Sequence, residues 1–212
     1  MKKIKVKKLI KPVVYVGTLS VLFLSIALLE KTTDDETALI QDDYMYVNSS
    51  IFTSNIPVVK EEGEATIQKP YVSDKVEISK KFYDKTSTDE EKENALIYYN
   101  DTYMQNSGIL YKSNEQFEVV SILEGTVIDV KKDETLGNVV EIKHSNNLIS
   151  TYEGLSEVSV KKDQTINQGQ VIGKSGKLEL GEPLENAILF ELIKDGKFVN
   201  PLNYFDKKLS EL

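Results

Sequence analysis

Residues 137–155 read GNVVEIKHSNNLISTYEGL, and they contain two strand patterns joined by a turn. Val140, Ile142 and His144 fall on one side of an alternating pattern, which is the period of a half-buried strand. The Ser-Asn-Asn that follows has turn chemistry, because asparagine tolerates positive φ. The next run, Leu-Ile-Ser-Thr-Tyr, is rich in β-branched and aromatic residues and predicts a second strand. The stretch therefore predicts an antiparallel hairpin.

Similar short patterns lie on both sides of this hairpin, separated by turn residues such as Lys-Asp and Asp-Gly. This spacing predicts a mainly β domain built on a small antiparallel sheet. The flanking strand candidates are Phe117–Ile122, Thr126–Val130, Gln170–Ile172 and Ala187–Ile193.

Five segments, taken in order, resemble the lysostaphin-type (LytM) zinc peptidases, which cut peptidoglycan peptides. The segments are GNVVEIKH (137–144), TYEGL (151–155), GQVIGKSG (169–176), FEL (190–192) and VNP (199–201). The resemblance implies a compact antiparallel β-sandwich of the duplicated hybrid motif type over residues 95–206. It also implies a groove across one sheet.

The same resemblance implies where zinc ligands and catalytic histidines should stand, and this chain lacks them. Enzymes of the family use a His-x-x-x-Asp pair, a histidine after the Tyr of the second segment, and a His-x-His pair before Phe-Glu. These positions fall on Asn106, Leu110, Gly154, Ala187 and Leu189. We therefore expect a degenerate site with no catalytic residues, no metal and no cofactor.

The residue counts point the same way without any alignment. A catalytic zinc needs three protein ligands, and this chain has one histidine and no cysteine. His144 lies within a strand pattern, so we expect a structural role for it rather than a Ser-His-acid one. Paired carboxylates remain formally open, but nothing marks any two as a pair, and we expect Glu141 and Glu191 to face outward or to accept hydrogen bonds.

The amino-terminal region predicts a membrane anchor. Six of the 26 lysines precede an uncharged run over residues 12–29, and all 34 acidic residues follow that run. As a helix, the run would span roughly 27 Å, about the thickness of a bilayer core. A cleaved signal peptide is the alternative, but no small-x-small cleavage pattern follows. The positive-inside rule predicts a cytoplasmic amino terminus and an extracytoplasmic carboxyl-terminal domain.

Composition divides the chain into six predicted segments. Thr88 followed by acidic residues gives a helix-start signal within the fourth segment. The segments are a cytoplasmic tail (1–8), a transmembrane anchor (9–29), an acidic linker (30–55), an amino-terminal arm with a short helix (56–94), the degenerate LytM domain (95–206) and a tail (207–212).

Four further segments, which follow the predicted anchor, indicate a particular family among the LytM-like proteins. The segments FYD (82–84), ENALI (93–97), YNDTY (99–103) and SGI (107–109) resemble the stage II sporulation protein Q family of endospore-forming bacteria. That resemblance implies a forespore membrane protein, facing the intermembrane space, that binds the ectodomain of the mother-cell stage III sporulation protein AH during engulfment. It also implies a channel-like complex, and whether that complex forms a ring stays open.

Two other functions are compatible with the sequence, namely an activator of, or scaffold for, peptidoglycan hydrolases and a non-cleaving cell-wall binding module. The lack of sustained heptads before Pro70 disfavours the activator. Nucleic acid is an unsuitable partner because the body of the chain is acidic and contains no arginine.

If the vacated groove binds the partner, we expect Tyr111 and Tyr152 to be exposed anchors in it. The alternative is that Leu110 and Leu189 simply pack the vacated space.

Overall fold

The structure, a computed structural model, describes residues 65–212, and this part of the chain is almost entirely β. Single 3₁₀ turns at Pro201–Asn203 and Leu209–Glu211 close the carboxyl-terminal end. The other elements are β1 (Glu77–Lys80), α1 (Asp89–Asn94), β2 (Leu96–Tyr99), β3 (Thr102–Gln105), β4 (Ile109–Lys112), β5 (Glu118–Val120), β6 (Gly125–Asp133), β7 (Gly137–Lys143), β8 (Leu148–Val158), β9 (Thr165–Ile166), β10 (Val171–Leu178), β11 (Leu184–Lys194) and β12 (Lys197–Val199).

The predicted tail, anchor and acidic linker (1–8, 9–29 and 30–55) lie outside the described residues. Within 65–212, no helix is both long enough and apolar enough to cross a bilayer. The membrane anchor therefore stays a prediction from the sequence.

Ten strands form one antiparallel sheet in the order β1-β4-β11-β10-β8-β7-β6-β9, with β12 beside β11 and β5 beside β10. The prediction of a mainly antiparallel β domain is confirmed. The hydrogen-bonded sheet is continuous. The reason is the length of β8, which pairs with β11 through residues 148–153 and with β10 through residues 155–158.

The hairpin predicted at the centre of the chain is present as β7 and β8. Asn146 and Asn147 make its turn with φ of 55° and 53°, the left-handed region that asparagine tolerates. The half-buried pattern predicted for β7 is wrong, because Val139 and Lys143 on its second side are also buried. Both sides are covered because the second face of the sheet carries apolar clusters of its own.

The main core lies on the other face and gathers residues from most of the strands. Its largest fully buried side chains include Tyr111, Tyr152 and Phe190. The rings of Tyr152 and Phe190 are 5.2 Å apart, and Phe190 stacks on Phe205 at 6.0 Å. Aromatic side chains of this size contribute much of the buried apolar area of a core, and their packing leaves little free volume.

The segment before β4 adds a small unit of its own. Thr88 caps α1 with a capping box, its side chain accepting from the Glu91 amide, so the predicted helix start is confirmed. After the helix, β2 and β3 form a separate two-stranded sheet.

Candidate functional site

Strand register brings four of the five degenerate positions onto one patch of the sheet. Leu189 on β11 lies directly opposite Leu110 on β4, and on its other side it lies opposite Glu153 on β8. Ala187 is two residues from Leu189 and therefore shares its face. A Cβ placed on Gly154 would lie 3.0 Å from the Ala187 carbonyl oxygen. The positions that carry chemistry in the zinc peptidases are thus neighbours in space here.

A compact apolar cluster occupies this patch. Leu110, Ala187 and Leu189 are buried against Leu178. Three further leucines, at 136, 180 and 184, pack around them. Leu110 and Leu189 thus pack within the site, as the second of the two sequence-based alternatives expects.

The fifth position, Asn106, is occupied by contacts with the backbone. Its side-chain amide donates to the Lys81 carbonyl at 2.8 Å, and its side-chain oxygen accepts from the Gly108 amide at 3.3 Å. The residue is 1% exposed. Asn106 therefore organises the entry to β4 and has no polar atom left over for a ligand.

Gly154 has a backbone that disfavours a side chain. Its φ is +85°, a conformation that L residues rarely adopt, and a Cβ would lie only 3.0 Å from the Ala187 carbonyl oxygen. An imidazole at this position would therefore be strained.

Beside the leucines, two carboxyl groups are buried on the same face. Glu191 is two residues from Leu189 on β11, and Glu153 lies opposite Leu189 on β8; both are 8% exposed. The Ser107 hydroxyl donates to Glu191. Within residues 65–212, the carboxyl group of Glu153 forms no hydrogen bond or ion pair that would offset its burial. Burial raises the pKa of Glu153 well above its usual value, and the neighbouring Glu191 raises it further.

Burial likewise raises the pKa of Glu191, although the hydrogen bond from Ser107 opposes that shift. The positive charge of Lys131 lowers the pKa of both carboxyl groups, although its ammonium itself bonds Glu141 at 2.8 Å and lies 3.8 Å from Asp129. The prediction that Glu141 and Glu191 serve hydrogen bonds is confirmed for both. The sequence analysis missed Glu153. Thr151 lies opposite Glu191, and Glu153, two residues further along β8, therefore lies on the same face as Glu191.

The structure contradicts the expected exposure of Tyr111 and Tyr152. Tyr111 is 1% exposed and Tyr152 is fully buried, so neither can be a surface anchor in this conformation. Tyr111 packs edge-on against Tyr71 at 5.0 Å. The Tyr152 hydroxyl accepts from the Ile122 amide at 3.1 Å, and burial raises the pKa of Tyr152 to about 12. Both belong to the opposite, core-facing side of their strands.

His144 has a structural role, as expected. It is buried, with Nδ1 2.9 Å from the Glu124 carbonyl oxygen and Nε2 2.7 Å from Ser150 Oγ. Because a carbonyl only accepts, Nδ1 carries the proton and Ser150 donates to Nε2. Burial lowers the pKa of His144 to about 4, so the ring is neutral. Nδ1 faces a carbonyl rather than a carboxylate, so the arrangement is not a Ser-His-acid triad.

Comparison with known proteins agrees with this geometry. Peptidase family M23 matches residues 104–201. The chain is 37% identical to stage II sporulation protein Q of Bacillus subtilis strain 168, over 97% of its own length and 74% of that protein. The chain belongs to the stage II sporulation protein Q family.

Two solved structures of protein complexes contain chains that are similar to this family member. A chain of the SpoIIQ–SpoIIIAH pore-forming complex is 42% identical, with a TM-score of 0.66, covering 70% of this chain and 96% of that chain. A second SpoIIIAH and SpoIIQ complex contains a chain that is 44% identical, with a TM-score of 0.63, covering 66% of this chain and 99% of that one.

The peptidase fold implies a zinc ion, and the residues of this family member do not fit one. Two of the positions are leucines packed in an apolar cluster, one is an alanine in that cluster, and one is a glycine whose φ of +85° and close neighbours disfavour a side chain. An apolar cavity filled with isobutyl groups would desolvate a cation at a cost of several kcal/mol. Within the described residues, no three histidine or acidic side chains are grouped so that they could hold a metal.

Proposed function

We propose that this chain is a membrane-anchored, catalytically inactive peptidase-fold protein that binds the ectodomain of a stage III sporulation protein AH. Its role is that of an interaction and channel component between forespore and mother cell during engulfment. The observation that carries the proposal is the 37% identity to stage II sporulation protein Q over 97% of the chain. Two relatives of known structure, 42% and 44% identical to this chain, come from complexes of SpoIIQ with SpoIIIAH, one of them described as pore-forming.

The state of the former groove supports the inactive part of this proposal. Leucines fill the positions where a zinc peptidase keeps its ligands, and the single histidine is buried in the core. Hydrolysis of a peptide by this fold needs a metal-activated water and a base beside it. Among residues 65–212, no group of side chains is placed to hold the metal, and the carboxyl groups of Glu153 and Glu191 lie buried beside the leucines with no metal-activated water to act on.

The predicted anchor and the charge distribution support the topology. Residues 9–29 serve as a single span, with the lysine-rich tail 1–8 in the cytoplasm and the acidic domain outside. In this orientation the described domain lies in the intermembrane space, where the ectodomain of a protein anchored in the opposite membrane can reach it.

The experiment that tests the function is direct association. The full chain, purified in detergent, is mixed with the stage III sporulation protein AH ectodomain from the same organism and separated by size exclusion with light scattering. We expect a complex of defined mass. Two separate peaks at concentrations of tens of micromolar would refute the proposal.

A second measurement addresses the chemistry. Full chain purified without chelator should contain far less than one zinc per chain by elemental analysis, and should leave purified peptidoglycan uncut. One tightly bound zinc per chain would overturn the inactive reading. Binding to purified sacculi without association with the ectodomain would favour the cell-wall module instead.

A further inference from the structure

The hairpin of β2 and β3 presents an exposed aromatic pair. Tyr98 and Tyr103 are direct cross-strand partners, and their ring centroids are 4.8 Å apart. Their exposed fractions are 51% and 68%. Large apolar side chains that remain this exposed are few among the described residues, and here two of them touch. Exposed aromatic side chains that lie together are typical of binding surfaces.

The pair is held in place by what lies beneath it. A two-stranded hairpin alone is marginally stable, so its order must come from packing. Ile97, on the opposite side of β2 from Tyr98, is 3% exposed. A Cβ placed on Gly181 would lie 3.0 Å from the Ile97 side chain, which shows how closely the hairpin sits on that loop. The Tyr99 hydroxyl also lies 3.2 Å from the Thr135 hydroxyl.

The turn of the hairpin fixes the first tyrosine further. Asn100 and Asp101 have φ of 48° and 58°, and the Tyr98 hydroxyl donates to Asp101 Oδ1 at 2.8 Å. A ring that is already ordered loses little conformational entropy when a partner covers it. The pair is therefore preorganised for binding.

A cavity of about 420 Å³ opens beside the two tyrosines. Its apolar walls include Leu110, Leu180 and Leu184, so it is the open end of the leucine-filled groove. A volume of this size admits one or two side chains of a partner, and its leucine walls favour apolar ones.

The rim of this surface is acidic. Glu93 and Glu182 line the cavity, and α1 beside it carries Glu90 and Asp89 in its first turn, of which Asp89 is paired with Lys92 at 2.8 Å. Lys80 is the lysine in the cavity lining, and its ammonium donates to the Asn94 carbonyl at 3.4 Å. An acidic rim around an apolar centre is complementary to basic residues around an apolar anchor.

We propose that the tyrosine hairpin surface, which consists of Tyr98, Tyr103 and the adjoining cavity, is the docking site for the ectodomain of the stage III sporulation protein AH. The inference rests on the proposed function and names its contact region. The segment that docks carries an apolar side chain, which enters the cavity and covers the tyrosines, flanked by lysine or arginine that faces the acidic rim. An anionic membrane surface would be repelled by the same rim.

The test uses the full chain in detergent and the stage III sporulation protein AH ectodomain, with affinity measured by titration. The Tyr98→Ala/Tyr103→Ala variant should bind about 10-fold more weakly or worse, because paired aromatic anchors dominate an interface. The matched controls Val72→Ala and Leu202→Ala remove exposed apolar side chains that do not line the cavity, and they should bind like the unmodified chain. Thermal unfolding of each variant verifies that the fold persists.

Charge is tested separately from the aromatic pair. Glu93→Lys/Glu182→Lys should weaken binding at 50 mM salt, and 500 mM salt should narrow its difference from the unmodified chain. If the unmodified chain binds the ectodomain and the tyrosine variant binds equally well, the docking site is elsewhere and this inference fails. If the unmodified chain does not bind at all, the proposed function itself fails.

Discussion

Alternate residues of β11 enter two environments of opposite character. Ile188, Phe190 and Leu192 point into the main core and are fully buried. Leu189 and Glu191, on the other face, meet a smaller cluster and a pair of buried carboxyl groups. One strand thus carries both side chains of the main core and Leu189, which stands where zinc peptidases of the family have a histidine. The main core gathers residues from most of the strands, whereas the cluster on the other face is small, so we expect substitutions on the core face to cost more stability.

The largest effect should come from the core face. Phe190→Ala should lower the free energy of unfolding by about 3–5 kcal/mol, because a buried ring between Tyr152 and Phe205 leaves a cavity. Denaturant titration measures it. Phe198→Ala, the same change at a half-buried position on β12, is the control and should cost clearly less. Equal losses would remove the distinction between the two faces.

A smaller loss is expected on the groove face. Leu189→Ala should cost about 2–3 kcal/mol, since the leucine is buried but belongs to a small cluster. Leu189→Met preserves volume and should cost less than about 1.5 kcal/mol. If Leu189→Ala changed the unfolding midpoint no more than the methionine variant, the leucines would not be filling the groove.

Gly154→Ala sharpens the comparison at the backbone level. Its φ of +85° and its contact with the Ala187 carbonyl should together cost about 2 kcal/mol. Gly169→Ala is the matched control, because its φ is +75° but its nearest neighbour is the flexible side chain of Gln68 at 3.4 Å. The difference in unfolding free energy between the two variants isolates the crowding on the groove face. A larger loss for Gly169→Ala would contradict the assigned crowding.

The smallest effect concerns Glu153 and is a dependence on pH. Its pKa in the folded protein is raised above the ordinary value of 4.5, so the unfolded chain releases this proton first as the pH rises. The contribution of Glu153 is complete below pH 4.5 and is lost as the pH rises through the folded pKa. Glu153→Gln removes that loss, so the variant should gain stability relative to the unmodified protein between pH 5 and pH 8.

Thermal midpoints across this range measure the effect as a difference between two proteins. His144, whose pKa is lowered to about 4, destabilises the fold as the pH falls below 6.5, and the subtraction cancels this opposite trend. Glu157→Gln is the matched control, because it makes the same change at an exposed glutamate of the same strand. A flat difference for Glu153→Gln would mean that its carboxyl is not desolvated in solution.

Several features of the fold could be predicted because their causes are local. The turn at Asn146 and Asn147 and the cap at Thr88 depend on side chains that contact their own backbone neighbourhood. Strand positions along β6 to β8 and β11 followed from alternation, with ends shifted by a few residues. The ends shifted because pairing with neighbouring strands, rather than composition, sets where a strand stops.

The candidate site could be predicted only in part. Alternation places Leu110 and Tyr111 on opposite faces, but it does not say which face is covered, and here both are. For this reason Tyr111 and Tyr152 were wrongly expected at the surface. Tyr98 and Tyr103, which are exposed, were not singled out, because their exposure depends on a hairpin that packs by its other side onto the loop at Gly181.

The sequence by itself determined that a zinc site cannot be assembled, because one histidine and no cysteine cannot supply its ligands. It also determined the antiparallel β class and the family, since these depend on residue types and their order along the chain. Only the tertiary structure decided which side chains share the former groove, that Glu153 lies buried beside Glu191, and that a tyrosine pair borders an open cavity. The physical reason is that the burial of a side chain depends on which residues pack against it. In this sheet those residues come from strands that are distant in sequence.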